Sequence, residues 1–223
     1  MRGLIFDFDG LILDTEVPIF RAWQECYEAH GEELSLKEYA RCVGTDMQHY
    51  HPGEELDRRV GGELDAEEWE IKRRDRVREL LEDAEPMPGV RRVLIEAEAL
   101  GLPCAVASSS PAEWVTGWLD RLGIAGAFAS VRCIDHVHRP KPDPALFLRA
   151  AEDLRVGPGE AVVLEDSLNG LRAARAAGSP CVVVPNAITS HLNFEEATVR
   201  LETLGGVSLR ELVAEVVARA VRW

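Results

Sequence analysis

Two aspartates near the start of the chain, Asp7 and Asp9, are the first residues whose type and spacing could do chemistry. They follow a short apolar run, residues 4–6, which is typical of a buried strand in a parallel sheet. Alternation along a strand places both carboxylates on one side, with Phe8 facing away. Two carboxylates at the end of a buried strand repel each other and resist desolvation. The pair therefore favours a cation or ligand site, and the alternative is a solvated acidic turn.

Polar clusters of the same kind follow later elements of the chain. The predicted strand 103–107 runs into three serines, and the predicted strand 161–164 runs into two acidic residues and a serine. A lysine between two prolines lies in the loop before a later predicted helix. Taken singly, these clusters are also typical of a helix cap, a helix start and an exposed loop. Because the carboxyl ends of parallel strands share one edge of a sheet, we expect all of them to lie together. The members are Asp7, Asp9, Ser108, Ser109, Ser110, Lys141, Glu165, Asp166 and Ser167.

These residue types together fit phosphoryl transfer. The reaction needs the charge of a phosphoryl group neutralised and its line of attack fixed, which requires Mg²⁺, a lysine and hydrogen-bond donors. Hard carboxylate oxygens select Mg²⁺ over softer metals. Asp7 could attack phosphorus to form an aspartyl phosphate, and Asp9 could protonate the leaving oxygen and then deprotonate the attacking water. Ser108 and the backbone N–H groups that follow it, beginning with Ser109, could bind phosphate oxygens at a helix N-terminus.

The elements that must position these clusters form two kinds of segment. Residues 16–81 have a helical pattern with almost no strand signals. From residue 88 onward helices and strands alternate, which predicts an α/β fold with a doubly wound parallel sheet. We therefore expect an α/β core domain made of residues 1–14 and 85–223, with an α-helical cap domain, residues 15–84, inserted into it.

Several helix starts are marked by capping residues. Ser35 and Asp65 are each followed three residues later by glutamate, the pattern of a capping box. Ser110, followed by proline and then by a glutamate at the third position, predicts the start of another helix. On that helix Trp114 and Trp118 are four residues apart, so we expect both to pack into the core on one face.

Composition limits the partners of the chain. Its 223 residues carry a formal net charge of −14, which disfavours DNA, RNA and anionic membranes. No apolar run is long enough to span a membrane, and the N-terminus does not resemble a signal peptide. The five cysteines are scattered without a CxxC pair, so neither a zinc site nor a disulfide framework is indicated. We expect a cytoplasmic protein, a monomer or weak homodimer, whose partner is a small phosphorylated metabolite.

The four clusters resemble the four motifs of the haloacid dehalogenase superfamily. DFDGLILDTE is similar to the first motif of its β-phosphoglucomutase-like phosphatases, VASSSP to the second, PKPDPALF to the third and VLEDSLNG to the fourth. The resemblance covers essentially the whole chain. It places the chain in the subgroup that has an α-helical cap between the first and second motifs.

This resemblance implies a role for each matching residue. Asp7 would be the nucleophile and a metal ligand, and Asp9 would be the general acid and base, with its backbone carbonyl on the metal. Ser108 and Lys141 would hold the phosphoryl group. Asp166 would bind Mg²⁺, with Glu165 either a further ligand or a partner of the ligands. The dehalogenases of the superfamily lack the second aspartate of the first motif, so Asp9 indicates phosphate chemistry.

Two other functions remain open. The mutases of this subgroup have a histidine where this chain has Ile19 and an arginine in the cap loop near residues 44–47. The absence of both favours hydrolysis over a sugar phosphomutase. Asp46, His49 and Arg58 are guesses for substrate contacts in the cap, and Glu16 is a further one. A non-catalytic phospho-acceptor domain like the receiver domains is the third interpretation, but such domains are about half as long and have no cap.

Overall fold

The central feature of the molecule is a six-stranded, fully parallel β-sheet with the order β3-β2-β1-β4-β5-β6. A computed structural model describes residues 1–40, 50–62 and 64–220. The order in the sheet places β1 between the strands that precede the second and fourth motifs. The strands are β1 (Gly3–Phe6), β2 (Cys104–Ala107), β3 (Ser130–Arg132), β4 (Ala161–Glu165), β5 (Cys181–Val183) and β6 (Val199–Arg200).

Helices cover both faces of this sheet. Along β1, Leu4 and Phe6 belong to one apolar cluster and Ile5 to another, as the two-residue period of a strand requires. The first cluster also contains residues of α5 (Val90–Ala99), α6 (Ala112–Arg121) and α9 (Leu209–Ala220). The second contains residues of α7 (Ala145–Asp153) and α8 (Leu168–Ala177). The predicted fold class, a doubly wound α/β sheet, is confirmed.

Four helices lie between β1 and α5 in the described part of the chain. They share a third apolar cluster that includes Trp23, Tyr27 and Leu56. Val77 and Leu81, at the end of this segment, pack instead into the first cluster, which contains Leu4 and Phe6. The helices are α1 (Glu16–Glu28), α2 (Leu36–Tyr39), α3 (Pro52–Arg59) and α4 (Ala66–Leu80).

Two of the three predicted helix caps are present in the structure, and the third is not. The side chains of Ser35 and Asp65 accept hydrogen bonds from the N–H groups three residues later, as predicted. The predicted cap at Ser110 is wrong, because α6 begins after Pro111 and no side chain of that residue caps it. The N–H of Ala112 donates instead to Asp135, at 2.7 Å. The Ser110 hydroxyl donates to Asp9, which removes it from the capping position.

The short edge strand β6 was not predicted, because two residues carry no usable periodicity. None of the helices in the described ranges is both long enough and apolar enough to span a lipid bilayer.

Candidate active site

The four sequence clusters lie at one edge of the sheet and face a single large cavity. This cavity has a volume of about 990 Å³ and lies between that edge and helices α1–α4. Parallel pairing puts the ends of β1, β2 and β4 side by side, so residues distant in sequence converge there. The residues of the sheet edge that line the cavity include Asp7, Asp9, Ser108, Ser109, Ser110, Lys141, Glu165 and Asp166.

The Asp7 carboxylate and the Lys141 ammonium form a buried ion pair at the base of the cavity. The same ammonium donates to Glu165 Oε1 at 2.6 Å, and its Nζ lies 4.7 Å from the ring centre of Phe147. Burial by itself would lower the pKa of Lys141, but Asp7 and Glu165 outweigh it and hold this pKa above its usual value. Lys141 is therefore a fixed positive charge beside Asp7.

Glu165 is fully buried and organises the residues around it. Its Oε2 accepts the N–H groups of Asp166 and Ser167, each at 2.9 Å, and the Ser167 hydroxyl at 3.0 Å. Its Oε1 is bound to Lys141. Both oxygens are thus occupied by bonds within the chain, which favours the partner role over the ligand role among the two that the sequence left open. Gly170 of α8 leaves the space that this carboxylate fills.

Asp166 is buried and is held from one side by Asn186. Asn186 Nδ2 donates to Asp166 Oδ2 at 2.7 Å, and Asn186 Oδ1 accepts the N–H groups of Ile188 and Thr189. A side chain at Gly10 would place its Cβ 2.4 Å from Asp166 Oδ2, so glycine is required there for this close approach. The turn after β5 therefore fixes the orientation of Asp166.

Three carboxylates at this edge form an arrangement that fits a divalent cation. One oxygen each of Asp7, Glu165 and Asp166 lies within 4.8 Å of the other two. Burial raises the pKa of Asp7 well above its usual value, against the opposing effect of Lys141. Burial also raises the pKa of Asp166, and the charges of Glu165 and Asp7 add to that rise. One ammonium does not neutralise three close carboxylates, and oxygen-only donors suit Mg²⁺.

Asp9 has a separate set of partners, all of them donors. Its Oδ1 accepts the indole N–H of Trp114 at 3.1 Å, and its Oδ2 accepts the hydroxyls of Ser110 at 2.6 Å and Ser108 at 3.3 Å. Lys141 pairs instead with Asp7 and Glu165. Among the described residues, three neutral donors hold this second carboxylate, so the two aspartates of the first motif have different environments.

The serines of the second motif connect that motif to the third. Ser108 is buried, and its hydroxyl also accepts the N–H of Ser110 at 3.0 Å. Ser109 Oγ accepts the backbone N–H of Lys141 at 3.1 Å, which joins the two loops. The serine hydroxyls and the Lys141 ammonium thus line the same cavity as Asp7, where they could bind the oxygens of a phosphoryl group.

The opposite wall of the cavity belongs to the helical segment. It combines aromatic rings with acidic and imidazole side chains, namely Trp23, Tyr39, His51, Glu54, Asp57 and Trp69. Glu16 and Ile19 also line the cavity. Of the other guesses for cap contacts, Arg58 pairs with Glu55 on the surface, and Asp46 and His49 lie outside the described residues.

Three contributors to the site were missed by sequence reasoning. Trp114 was assigned to the core and does pack against it, but it is half-buried and its N–H reaches Asp9, which the sequence did not reveal. Asn186 follows a strand end, and this position is the one signal that could have identified it. Gly170 has no local signal, since its close approach to Glu165 exists only in the folded chain.

The chain is similar in sequence and in fold to known proteins. Residues 4–184 match the family model of haloacid dehalogenase-like hydrolases. The chain is 41% identical to “Putative phosphatase YhcW” of Bacillus subtilis (strain 168), over 96% of each chain. It is 33% identical to “Fructose-1-phosphate phosphatase YqaB” of Escherichia coli (strain K12), over 82% of this chain and 95% of that protein. The crystal structure of CbbY from Rhodobacter sphaeroides in complex with phosphate has a TM-score of 0.73 and 28% identity, covering 96% of this chain and 99% of that one.

Proposed function

Because this chain belongs to the haloacid dehalogenase-like hydrolases, we propose that it is a Mg²⁺-dependent phosphatase of a small phosphate monoester. In this proposal the reaction passes through an aspartyl phosphate on Asp7. The observation that carries it is the contrast between the two aspartates of the first motif. Asp7 is buried, pairs with Lys141 and lies close to the carboxylates of Glu165 and Asp166. Asp9 instead accepts hydrogen bonds from hydroxyl and indole donors. This contrast supports a nucleophile role for Asp7 and a proton-transfer role for Asp9.

The proposed reaction has two steps. In the first, an Asp7 oxygen attacks phosphorus, the bond from phosphorus to the ester oxygen breaks, and protonated Asp9 gives its proton to that oxygen. In the second, Asp9 takes a proton from a water molecule that attacks the same phosphorus, which releases phosphate and restores Asp7. Lys141 and Ser108 hold the phosphoryl oxygens in both steps. Asp7, Asp166 and, less directly, Glu165 would hold Mg²⁺, which would neutralise charge on the transferring group.

We propose a sugar phosphate or a similarly hydroxylated ester as substrate. The wall of the cavity that faces the sheet edge combines the rings of Trp23 and Trp69 with the carboxylates of Glu54 and Asp57. Rings suit the apolar faces of a polyol and carboxylates accept its hydroxyl hydrogens. One relative is a fructose-1-phosphate phosphatase by name, which supports this class. Closure of the helical cap, residues 15–84, over such a substrate would exclude bulk water.

Hydrolysis is favoured over a sugar phosphomutase. Ile19, at the position where the resembling mutases have histidine, lines the cavity and offers no proton-transfer group.

We also propose that the protein is cytoplasmic, since the four cysteines of the described residues are buried free thiols, as in a reducing compartment.

The test is inorganic phosphate release from a panel of esters, including fructose 1-phosphate, glycerol phosphate and phosphoglycolate, with Mg²⁺ and with EDTA. We expect Mg²⁺-dependent release that Asp7→Asn lowers by at least about a thousandfold, because the nucleophile is lost. Asp14→Asn is the matched control, since an amide oxygen can still accept the N–H of Val17 that Asp14 binds. Full activity of Asp7→Asn would refute the mechanism. Conversion of hexose 1-phosphate to hexose 6-phosphate without phosphate release would instead identify a mutase.

A further inference from the structure

We propose that Trp114 is a positioning residue for Asp9, orienting the carboxylate that transfers the proton. This inference depends on the proposed function, because it assigns Trp114 a part in the acid and base role of Asp9. The indole Nε1 lies 3.1 Å from Asp9 Oδ1, across 105 residues of sequence. Within the described chain it is the one hydrogen-bond donor recorded on that oxygen.

The chemistry of an indole makes this contact directional. Its N–H donates, accepts nothing and does not titrate, so it binds a carboxylate oxygen in one orientation. The partners of the other oxygen are hydroxyls, and these rotate to suit whatever acceptor is present. When a phosphoryl group engages the Ser108 hydroxyl, Asp9 loses its 3.3 Å bond and keeps those to Ser110 and Trp114. Trp114 therefore supplies the orientation that persists when substrate is bound.

The indole is itself held firmly. Its ring contacts the ring of Trp118 edge to face, with centres 5.7 Å apart. It also packs against the apolar cluster on the sheet face covered by α5, α6 and α9. Its helix, α6, is tied at its first N–H to Asp135. Trp118 is more deeply buried and lies under the guanidinium of Arg121. The two tryptophans share a helix and contact the same apolar cluster, and the hydrogen bond to Asp9 belongs to Trp114.

The experiment compares Trp114→Phe with Trp118→Phe on two esters that differ in their need for a proton donor. An alkyl ester such as fructose 1-phosphate requires protonation of its leaving oxygen, whereas the nitrophenolate of p-nitrophenyl phosphate leaves without it. For Trp114→Phe we expect kcat/KM to fall about tenfold with the fastest alkyl ester of the panel and less than about twofold with p-nitrophenyl phosphate. For Trp118→Phe we expect the ratio between the two esters to stay at the wild-type value.

Equal losses on both esters, or no loss on either, would overturn the role of Trp114. An Asp9→Asn variant that still hydrolyses the alkyl ester at the wild-type rate would instead overturn the proposed function. A second measurement does not depend on the tryptophan variants. The indole N–H resonance of Trp114 in nuclear magnetic resonance spectra should move upfield in Asp9→Asn, because the hydrogen bond to a charged acceptor is lost. An unchanged resonance would contradict the inference.

Discussion

Replacement of Gly170 by alanine sets two effects against each other, the higher helix propensity of alanine and the space that the Glu165 side chain occupies. Gly170 is the third residue of α8, in an ordinary helical position, so propensity alone favours alanine there by about 1 kcal/mol. In the folded chain, however, an alanine Cβ at this position would lie 1.7 Å from Glu165 Oε1 and 2.3 Å from Oε2. Glu165 would have to move, although it is fully buried and both of its oxygens are occupied.

The expected cost follows from what Glu165 would lose. Moving the carboxylate breaks its 2.6 Å bond to the Lys141 ammonium and its bonds to the N–H groups of Asp166 and Ser167. Breaking a buried ion pair costs about 3–5 kcal/mol. After the gain in helix propensity, Gly170→Ala should lower the free energy of unfolding by about 2–4 kcal/mol. For a chain of this length the melting temperature should fall by about 10 °C.

Urea unfolding followed by circular dichroism measures this change. Gly117→Ala is the matched control, because Gly117 also lies inside a helix, α6, and a Cβ there meets nothing within 4 Å. We expect the control to raise the free energy of unfolding by about 0.5–1 kcal/mol. If Gly170→Ala were as stable as the wild type, with an unchanged denaturant slope, the reasoning about Glu165 would be refuted.

Two further predictions concern Glu16 and Asn186. Burial raises the pKa of Glu16 to about 7, and Asp9 and Asp14 add to the rise. The folded state then keeps a proton that the unfolded chain releases near pH 4.5, so stability should fall as pH rises from 4.5 to about 7. Urea unfolding in EDTA measures the decrease in the free energy of unfolding between pH 5 and pH 8, and this decrease should be about 2 kcal/mol smaller in Glu16→Gln than in the wild type. An unchanged pH dependence would contradict this prediction. Asn186→Ala should raise the Kd for Mg²⁺ about tenfold in calorimetric titration, because Asp166 loses its orienting donor. A Kd within twofold of the wild-type value would contradict that role.

The predicted strands show why the sheet was readable from sequence. Residues 161–164 were predicted as a strand, and β4 is Ala161–Glu165. Strands buried on both faces are short apolar runs, and glycine and capping residues mark helix ends, so these signals are local in the chain. The sequence did not reveal the Ser110 hydroxyl's preference for Asp9 over its own helix, because the competing acceptor is 101 residues away.

Part of the candidate site could also be identified from the sequence. Asp7, Lys141 and Asp166 were identified from sequence because each follows or precedes a recognisable element, and the roles assigned to them remain predictions. The domain boundary at residues 14–15 and 84–85 also remains a prediction.

The amino-acid sequence by itself determined the alternation of strands and helices, the acidic charge and the residues placed at the strand ends. Each of these depends on neighbours along the chain, so each is present before the chain folds. The tertiary structure alone decided that Trp114 donates to Asp9, that Asn186 orients Asp166 and that Gly170 makes room for Glu165. These contacts depend on the strand order, which brings β1 between β2 and β4 and fixes which helices reach the same edge.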